Sequence, residues 1–158
     1  MKKIILIATL LSMPVLAGDK LNIEQYKKFL NILSISHDGP SLTWHDSPVD
    51  KISQLAVYNK NILFMINKDG DAVVITSDLS DNKSLSAWKS LCKELKVPNV
   101  DIDEDYTKTV TSVIQNALAE PGAEYSKAYE DWSYFATFFT HNNRLVCGVI
   151  TNEEIDTQ

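Results

Sequence analysis

The sequence has little glycine, proline or arginine, and each scarcity excludes a class of protein. With five glycines and five prolines in 158 residues, it is neither collagen-like nor dominated by flexible linkers. Arg144 is its only arginine, and 15 basic residues against 21 acidic ones give a formal net charge of −6. Nucleic-acid binding depends on clustered basic residues, so nucleic acid is not expected as a partner. At 44% hydrophobic residues, the chain is nevertheless typical of a globular protein.

Motifs that bind cofactors and metals are also absent from the sequence. Neither of the glycine-rich phosphate-binding patterns, G-x-G-x-x-G and G-x-x-x-x-G-K-[ST], occurs. The three histidines and two cysteines lack the paired spacing of a zinc site. Asp101–Asp105 begins like a calcium loop, but Tyr106 stands where that loop needs glycine and Ser112 where it needs glutamate. We therefore expect no metal and no cofactor.

Residues 1–17, MKKIILIATLLSMPVLA, are typical of a bacterial secretory signal peptide. Two lysines precede an apolar stretch, and Val15 and Ala17 are acceptable to signal peptidase at its −3 and −1 subsites. The apolar run is interrupted by Pro14 and is shorter than the roughly 20 residues that span a bilayer. The chain also has Asp19 where a lipid anchor would need cysteine. We therefore expect a periplasmic protein without a membrane anchor, with onward secretion left open.

Cleavage after Ala17 leaves one predicted domain, residues 18–158, and makes the chain more acidic. These 141 residues carry 13 basic and 21 acidic side chains, a net charge of −8. Both cysteines remain, and an even pair in an oxidising compartment is expected to form a disulfide. A catalytic thiolate is the alternative, but it needs a nearby histidine or a helix start. Since Cys92 lies late in a predicted helix and Cys147 in a predicted strand, we expect a disulfide that joins helix to sheet.

Hydrophobic periodicity predicts three amphipathic helices and two β-hairpins. Asn22 and Gln25 are suited to cap the first helix, and Ser84 the second. An Asp-Gly turn joins the strands of the first hairpin, and Asn142-Asn143 those of the second. The predicted helices cover residues 23–33, 85–95 and 107–119, and the hairpin strands cover 62–66 with 72–76 and 134–140 with 145–151.

The order of these elements predicts an α+β fold with a mostly antiparallel sheet. Strands come in hairpins instead of alternating with helices, which disfavours a doubly wound parallel sheet. The two hairpins are free to pair into one sheet packed against about three helices. Strands 62–66 and 72–76 are apolar at nearly every position, which predicts that both of their faces are covered.

A long predicted loop, residues 36–48, is the first candidate site. Loops of this length are usually functional or mobile. It contains two His-Asp dipeptides and a tryptophan with no periodic partner, which either folds back on the sheet or binds a partner. The dipeptides favour either a protein interface or, with a nearby serine or threonine, hydrolytic chemistry, although no G-x-S-x-G motif accompanies them. The candidate residues are His37, Asp38, Trp44, His45 and Asp46.

Acidic and aromatic residues are concentrated in two other segments, 101–106 and 124–134. Tyrosine and tryptophan often anchor interfaces, and a negative surface attracts a cationic partner. The alternative for Tyr125, Tyr129 and Trp132, which have helical spacing, is that they fill the core. The first segment supplies the candidate partner-binding residues Asp101, Asp103, Glu104, Asp105 and Tyr106.

Export, acidity and the lack of catalytic patterns favour a binding protein over an enzyme, and we expect no catalytic residue. The function that fits is that of an immunity protein, a periplasmic inhibitor of an envelope-targeting toxin such as a cell-wall or membrane hydrolase delivered by type VI secretion. Its protein partner is expected to be cationic. Two alternatives stay open: a small periplasmic hydrolase using the loop histidines and aspartates, and a secreted accessory or host-interacting factor. A homodimer through an exposed edge of the last hairpin, with Phe138, Phe139 and Val149, is also open.

Overall fold

The predicted α+β fold is confirmed: in the part of the chain that the structure describes, three helices accompany a seven-stranded antiparallel sheet. The structure is a computed structural model that describes residues 21–49, 53–78 and 81–152. The expected signal peptide and the polar C-terminal tail lie outside the described residues. In chain order the elements are α1 (Ile23–Ser36), β1 (His45–Asp46), β2 (Ser53–Val57), β3 (Ile62–Asn67), β4 (Ala72–Asp78), α2 (Asn82–Lys93), α3 (Glu104–Ala119), β5 (Glu124–Tyr129), β6 (Trp132–Phe139) and β7 (Arg144–Thr151).

Helix α1 begins where its capping residues predict. The side-chain oxygen of Asn22 accepts a hydrogen bond from the backbone N–H of Gln25 at 3.1 Å, which satisfies one of the free donors of the first turn. The predicted apolar stripe is buried, and its members are Tyr26, Phe29, Leu30 and Leu33. The helix continues to Ser36, three residues beyond the predicted end.

Helices α2 and α3 begin three residues before their predicted starts. Asp81 caps α2 by accepting from the N–H of Ser84 at 2.6 Å, and Asp103 caps α3 by accepting from the N–H of Tyr106 at 2.8 Å. Ser84 is therefore inside α2, and the prediction that it caps the helix was wrong. Helix α2 also ends two residues early, at Lys93. Hydrophobic periodicity misses the first turn of α2 because it is polar, and in α3 the two acidic residues that precede the buried Tyr106 are exposed.

Both predicted hairpins form, and they pair through their inner strands. The strand order is β1-β2-β3-β4-β7-β6-β5, with β4 and β7 antiparallel from Ala72 opposite Ile150 to Asp78 opposite Arg144. The last hairpin therefore does not form a sheet edge, and Val149 is fully buried. Its turn is a four-residue loop, residues 140–143, with a positive φ at Asn143 but not at Asn142.

The aromatic residues at helical spacing belong to strands. Because β5 was not predicted as a strand, the edge of the sheet was wrongly assigned to the last hairpin. Tyr125 and Tyr129 lie on β5, the true edge strand, and Trp132 begins β6. A separation of four residues returns a side chain to the same face of a helix and also to the same face of a strand. The spacing of the two tyrosines was therefore compatible with both structures.

The core lies between the helices and one face of the sheet. Strand residues that alternate toward this face, such as Phe64, Ile75 and Cys147, are fully buried, together with Trp88 of α2 and Val110 of α3. The prediction that both faces are covered was wrong for the described part of the chain. On the second face the apolar side chains are only half-buried, and none belongs to the core cluster, as for Leu63, Met65, Val74, Phe135 and Val146.

The predicted disulfide is present and joins helix to sheet. Cys92 of α2 is bonded to Cys147 of the central strand β7, and both residues are fully buried. The bridge spans 55 residues of sequence. In the chain-entropy account, closing such a loop stabilises the folded state by about 4 kcal/mol.

Three buried tyrosines hold the end of α2 and the linker that follows it. They come from α1, α3 and β6, and each hydroxyl donates a hydrogen bond to a backbone carbonyl of residues 92–96. Burial raises the pKa of all three hydroxyls, since the charged form is disfavoured away from water. We call them the tyrosine clamp: Tyr26 bonds Lys96 O at 2.6 Å, Tyr134 bonds Cys92 O at 2.7 Å, and Tyr106 bonds Leu95 O while accepting from Val97 N–H at 3.1 Å.

Candidate functional site

The two acidic and aromatic segments, far apart in sequence, meet at one end of the sheet. The linker before α3 lies beside the tight turn between β5 and β6, and residues from both line a pocket of about 170 Å³. The rings of Tyr106 on α3 and Tyr129 on β5 are 5.8 Å apart between centroids. We call this surface the acidic end and define it by its carboxylates: Asp101, Asp103, Glu104, Asp105, Glu130 and Asp131.

Capping and turn geometry place these carboxylates. Asp103 is held at the start of α3 by its own capping bond, and Glu104 and Asp105 follow in the first turn. Negative side chains are favoured there because the N-terminal end of a helix carries partial positive charge. Glu104 also forms an ion pair with Lys108 at 3.0 Å, and both side chains are well exposed.

The turn between β5 and β6 is tied to the end of β7. Glu130 has a positive φ of 50°, which lets residues 130 and 131 reverse the chain between Tyr129 and Trp132. The side chain of Asn152 donates to the carbonyl of Glu130 at 2.6 Å, and its backbone N–H donates to the carbonyl of Asp131 at 2.9 Å. The two carboxylates are therefore presented from a fixed backbone.

The pocket of the acidic end has aromatic and polar walls. Pro98, Asn99 and Val100 form one side, and the other is formed by Tyr129, Glu130, Asp131 and Trp132. The pKa of Tyr129 is raised, mainly by burial and further by the carboxylate of Asp103, while a hydrogen bond from Thr109 opposes the shift. An aromatic surface next to carboxylates is suited to contact a basic side chain.

A buried lysine lies next to the acidic end. Lys96 is only 3% exposed, and burial lowers its pKa while the nearby carboxylate of Asp101 opposes that shift. Tyr106, a predicted contact residue, is likewise buried in the core at 3% exposure. The outward-facing part of segment 101–106 therefore consists of its carboxylates, and the tyrosine positions them from beneath.

The loop candidates divide between two places. His37 and Asp38 line a pocket of about 630 Å³ at the opposite end of the sheet, with Tyr58, Lys60, Asp81 and Ser84 among its other walls. His37 Nε2 is 2.7 Å from Glu94 Oε2, so its carboxylate partner comes from the end of α2 and not from the adjacent aspartate. The Tyr58 hydroxyl donates to the His37 carbonyl at 2.9 Å and holds the loop in place.

The other loop candidates lie at the β1 edge of the sheet. Trp44 folds back against the core, with Lys27 Nζ 5.6 Å from its ring centroid. Asp46 accepts from Gln54 at 3.1 Å and pairs with Lys68 at 3.0 Å, and these contacts lower its pKa. His45 lies opposite Leu55, with its side chain on the sheet face away from the helices. The two His-Asp dipeptides are thus on different surfaces.

Ser47, one of the hydroxyl residues considered for hydrolytic chemistry beside Ser41 and Thr43, accepts a hydrogen bond from the N–H of Val49 at 3.3 Å. Ser36, at the end of α1, donates to the carbonyl of Leu33 at 2.8 Å. Within the described ranges, no cluster of three or more His, Cys, Asp or Glu side chains is arranged to hold a metal ion. No helix in that same part of the chain is long and apolar enough to cross a membrane.

Two contributors to these sites were not identified from the sequence. Asn99 has a positive φ of 65° and turns the linker back toward β5, and Pro98-Asn99 was a turn signal that could have marked it. Glu94 lies 57 residues from His37, and no sequence spacing relates them. Comparison with models of known protein families, with curated proteins and with solved structures finds no significant match for this chain.

Proposed function

We propose that this is an exported inhibitor of the immunity type, which neutralises a cationic envelope-targeting enzyme by binding it through the acidic end. The observation that carries the proposal is that two acidic segments distant in sequence meet at one end of the sheet. Glu130 and Asp131 line the pocket, and burial together with the carboxylate of Asp103 in the other segment raises the pKa of the neighbouring Tyr129. On a chain already rich in acid, this surface concentrates negative charge where a partner can reach it. Cell-wall and membrane hydrolases that act on anionic surfaces are fitting cationic partners.

The expected advantage of such a surface is a fast association. A concentrated field of one sign steers an oppositely charged protein toward the binding surface and raises the association rate constant. This electrostatic contribution weakens with added salt, since the Debye length falls from about 10 Å at 0.1 M to about 3 Å at 1 M. The partner's basic side chains would then meet the carboxylates and the aromatic walls of the pocket.

The disulfide is consistent with the proposed periplasmic location. Disulfides persist in oxidising compartments and are rare in the bacterial cytosol. The bond between Cys92 and Cys147 also anchors α2, whose end the tyrosine clamp holds. The backbone that leads into the acidic end is therefore restrained before any partner arrives, which lowers the entropic cost of binding.

The test is affinity capture of periplasmic and secreted proteins on immobilised residues 18–158, followed by kinetics on the captured partner. A triple variant, Asp101→Asn with Asp105→Asn and Glu130→Gln, removes three charges from the acidic end. We expect its association rate constant to fall by about tenfold at low ionic strength, with much less difference at 0.5 M salt.

The matched control removes three carboxylates from other exposed positions, Glu24→Gln with Asp69→Asn and Glu124→Gln. Both variants have the same net charge, so a difference between them reports the location of the charge. Equal association rates for the two variants would refute the acidic end as the binding surface. Failure to recover any basic envelope-degrading enzyme, under conditions that preserve known inhibitor complexes, would refute the function.

One observation favours a second function, that of a periplasmic hydrolase. His37 faces Glu94 at 2.7 Å beside a pocket of about 630 Å³, and a carboxylate that orients an imidazole is a common arrangement in general-base catalysis. In this alternative His37 would activate a water molecule in the pocket. His37→Gln would then abolish hydrolysis of purified peptidoglycan, whereas His141→Gln, in the exposed turn before β7, would not.

A further inference from the structure

The face of the sheet turned away from the helices is apolar and has no cover among the described residues. Its side chains alternate with those that enter the core, and none of its large apolar members belongs to the core cluster. Val57 is 49% exposed and Phe139 is 41% exposed, and the others are half-buried. We call this surface the open face, formed by Leu55, Val57, Leu63, Met65, Val74, Phe135, Phe139, Val146 and Ile150.

The open face is flat at its centre. Phe135 on β6 lies directly opposite Gly148 on β7. A Cβ atom built on that glycine would lie 2.8 Å from Phe135 Cε1 and 2.8 Å from Val74 Cγ1. The phenyl ring therefore occupies the space above the glycine instead of projecting outward. A level apolar surface is suited to pack against another sheet at a separation of about 10 Å.

Charge is confined to the margins of this face. Arg144, at the start of β7, lies opposite Asp78, the last residue of β4, and its Nη1 donates to Thr76 Oγ1 at 3.1 Å. The other ionisable side chains on this face, His45 and Glu124, lie on the two edge strands. Thr76 lies between Leu63 and Val146, so the guanidinium of Arg144 reaches the face there. The row formed by Met65, Val74 and Phe135, in contrast, contains no ionisable residue. This uncharged row, unlike the acidic end, does not suit a cationic partner.

The open face is large enough for a small interface. Its residues lie on five strands, which at about 4.8 Å each give a width of about 24 Å, and six residues at about 3.3 Å give a length of about 20 Å. Two such faces together would bury about 1,000 Å², the lower limit for a specific protein interface. Most soluble oligomers are symmetric, and an uncharged flat face is complementary to its own copy.

The segments of the chain outside the described residues are poorly suited to cover the open face. Residues 1–17 are apolar, but we propose that they are removed on export. The other segments outside the described residues are short: GDK at 18–20, DKI at 50–52, LS at 79–80 and EEIDTQ at 153–158. Together they contribute two isoleucines and one leucine. A charged segment laid over an apolar sheet would lose hydration without gaining partners.

We propose that two copies of the chain pack open face against open face to form a twofold-symmetric dimer. The sheets would stack as in a β-sandwich, with β4 and β7 near the twofold axis. Each acidic end, at the ends of the strands and toward the helices, would stay outside the interface. The dimer would therefore present two acidic ends. It rests on the proposed export, which removes residues 1–17, but not on the proposed inhibition of an enzyme.

Light scattering coupled to size exclusion tests the proposal on oxidised residues 18–158. We expect twice the chain mass at about 50 µM. Met65→Lys places a charge in the interface of both copies and should raise the dissociation constant by at least about 100-fold, leaving a monomer. Val146→Lys is the second variant in case the first does not fold, and far-UV circular dichroism verifies the fold of each.

Val49→Lys is the matched control because Val49 is 94% exposed in the loop after β1 and off the sheet. It should remain dimeric. A wild-type chain that is monomeric at 100 µM would overturn the proposal, and so would a dimer that persists in the folded lysine variants. A monomer whose capture of another protein is lost in Met65→Lys would also overturn it, in favour of a different occupant.

Discussion

Removing one hydroxyl group from the tyrosine clamp should destabilise the protein far more than the loss of a single oxygen atom suggests. The hydroxyl of Tyr106 serves two buried backbone groups, since it donates to the carbonyl of Leu95 and accepts from the N–H of Val97. Both of these residues are fully buried, so water cannot replace the lost partner. Tyr106→Phe keeps the ring and its packing, and it leaves both backbone groups unsatisfied.

The expected cost follows from those two groups. An unsatisfied buried donor or acceptor costs about 1–3 kcal/mol, so with two such groups the variant should lose about 2–6 kcal/mol of unfolding free energy. Total stability for a domain is about 5–15 kcal/mol, so this loss is a large fraction of it. With a urea dependence of about 1.5 kcal/mol per molar, a loss of 3 kcal/mol lowers the unfolding midpoint by about 2 M.

Equilibrium urea unfolding of the oxidised chain is the assay, and Tyr125→Phe is the control. The hydroxyl of Tyr125 donates to the carboxylate of Glu120 on the surface, where water can take its place. We expect the control to change the midpoint much less. A Tyr106→Phe variant whose midpoint lies within experimental error of wild type would refute the argument that this hydroxyl is the sole partner of two buried groups.

Four other perturbations test the fold. Replacing both disulfide cysteines with alanine should lower the unfolding free energy by about 4 kcal/mol, measured against the oxidised chain in urea. The clamp tyrosines have raised pKa values when folded but lose their protons near pH 10 when unfolded. Their contribution to stability should therefore be constant below about pH 10 and fall above it, and a melting temperature unchanged from pH 9 to 11.5 would contradict this. Gly148→Ala should cost about 1–3 kcal/mol, because the added methyl would meet Val73 O at 2.6 Å as well as the Phe135 ring. Asn22→Ala should cost about 1 kcal/mol by removing the cap of α1, and a thermal melt identical to wild type would count against that role.

Helices and hairpins with regular patterns were predictable, and their ends were not. The apolar stripe of α1 and the Asp-Gly turn between β3 and β4 identified those elements correctly. The first turn of α2 carries no apolar residue, so periodicity could not show it, whereas Tyr106 in the first turn of α3 is buried and fits the stripe with Val110 and Val113. Strand β5 was missed because Tyr125 and Tyr129 have a spacing that both a helix and a strand satisfy.

For the candidate sites, too, local features were predictable from the sequence and contacts between distant residues were not. The acidic residues of segments 101–106 and 124–134 were evident from the sequence. The two segments meet at one end of the sheet only because of the linker turn at Asn99 and the turn at Glu130. The contact between His37 and Glu94 joins the ends of two helices, which no local pattern can indicate. The sequence did not reveal that one face of β3 and β4 is uncovered, because an apolar run has the same pattern whether one face or both faces are covered.

Sequence alone determined the properties that depend on composition and on neighbouring residues. These are the net acidity, the expected export signal, the helix and hairpin segments, and the pairing of the only two cysteines. Tertiary structure decided which strand forms the edge, which tyrosines clamp the linker, where the carboxylates gather and which sheet face is left open. The reason is that helix period, turn chemistry and charge are local, whereas burial and proximity are set by contacts between residues distant in sequence.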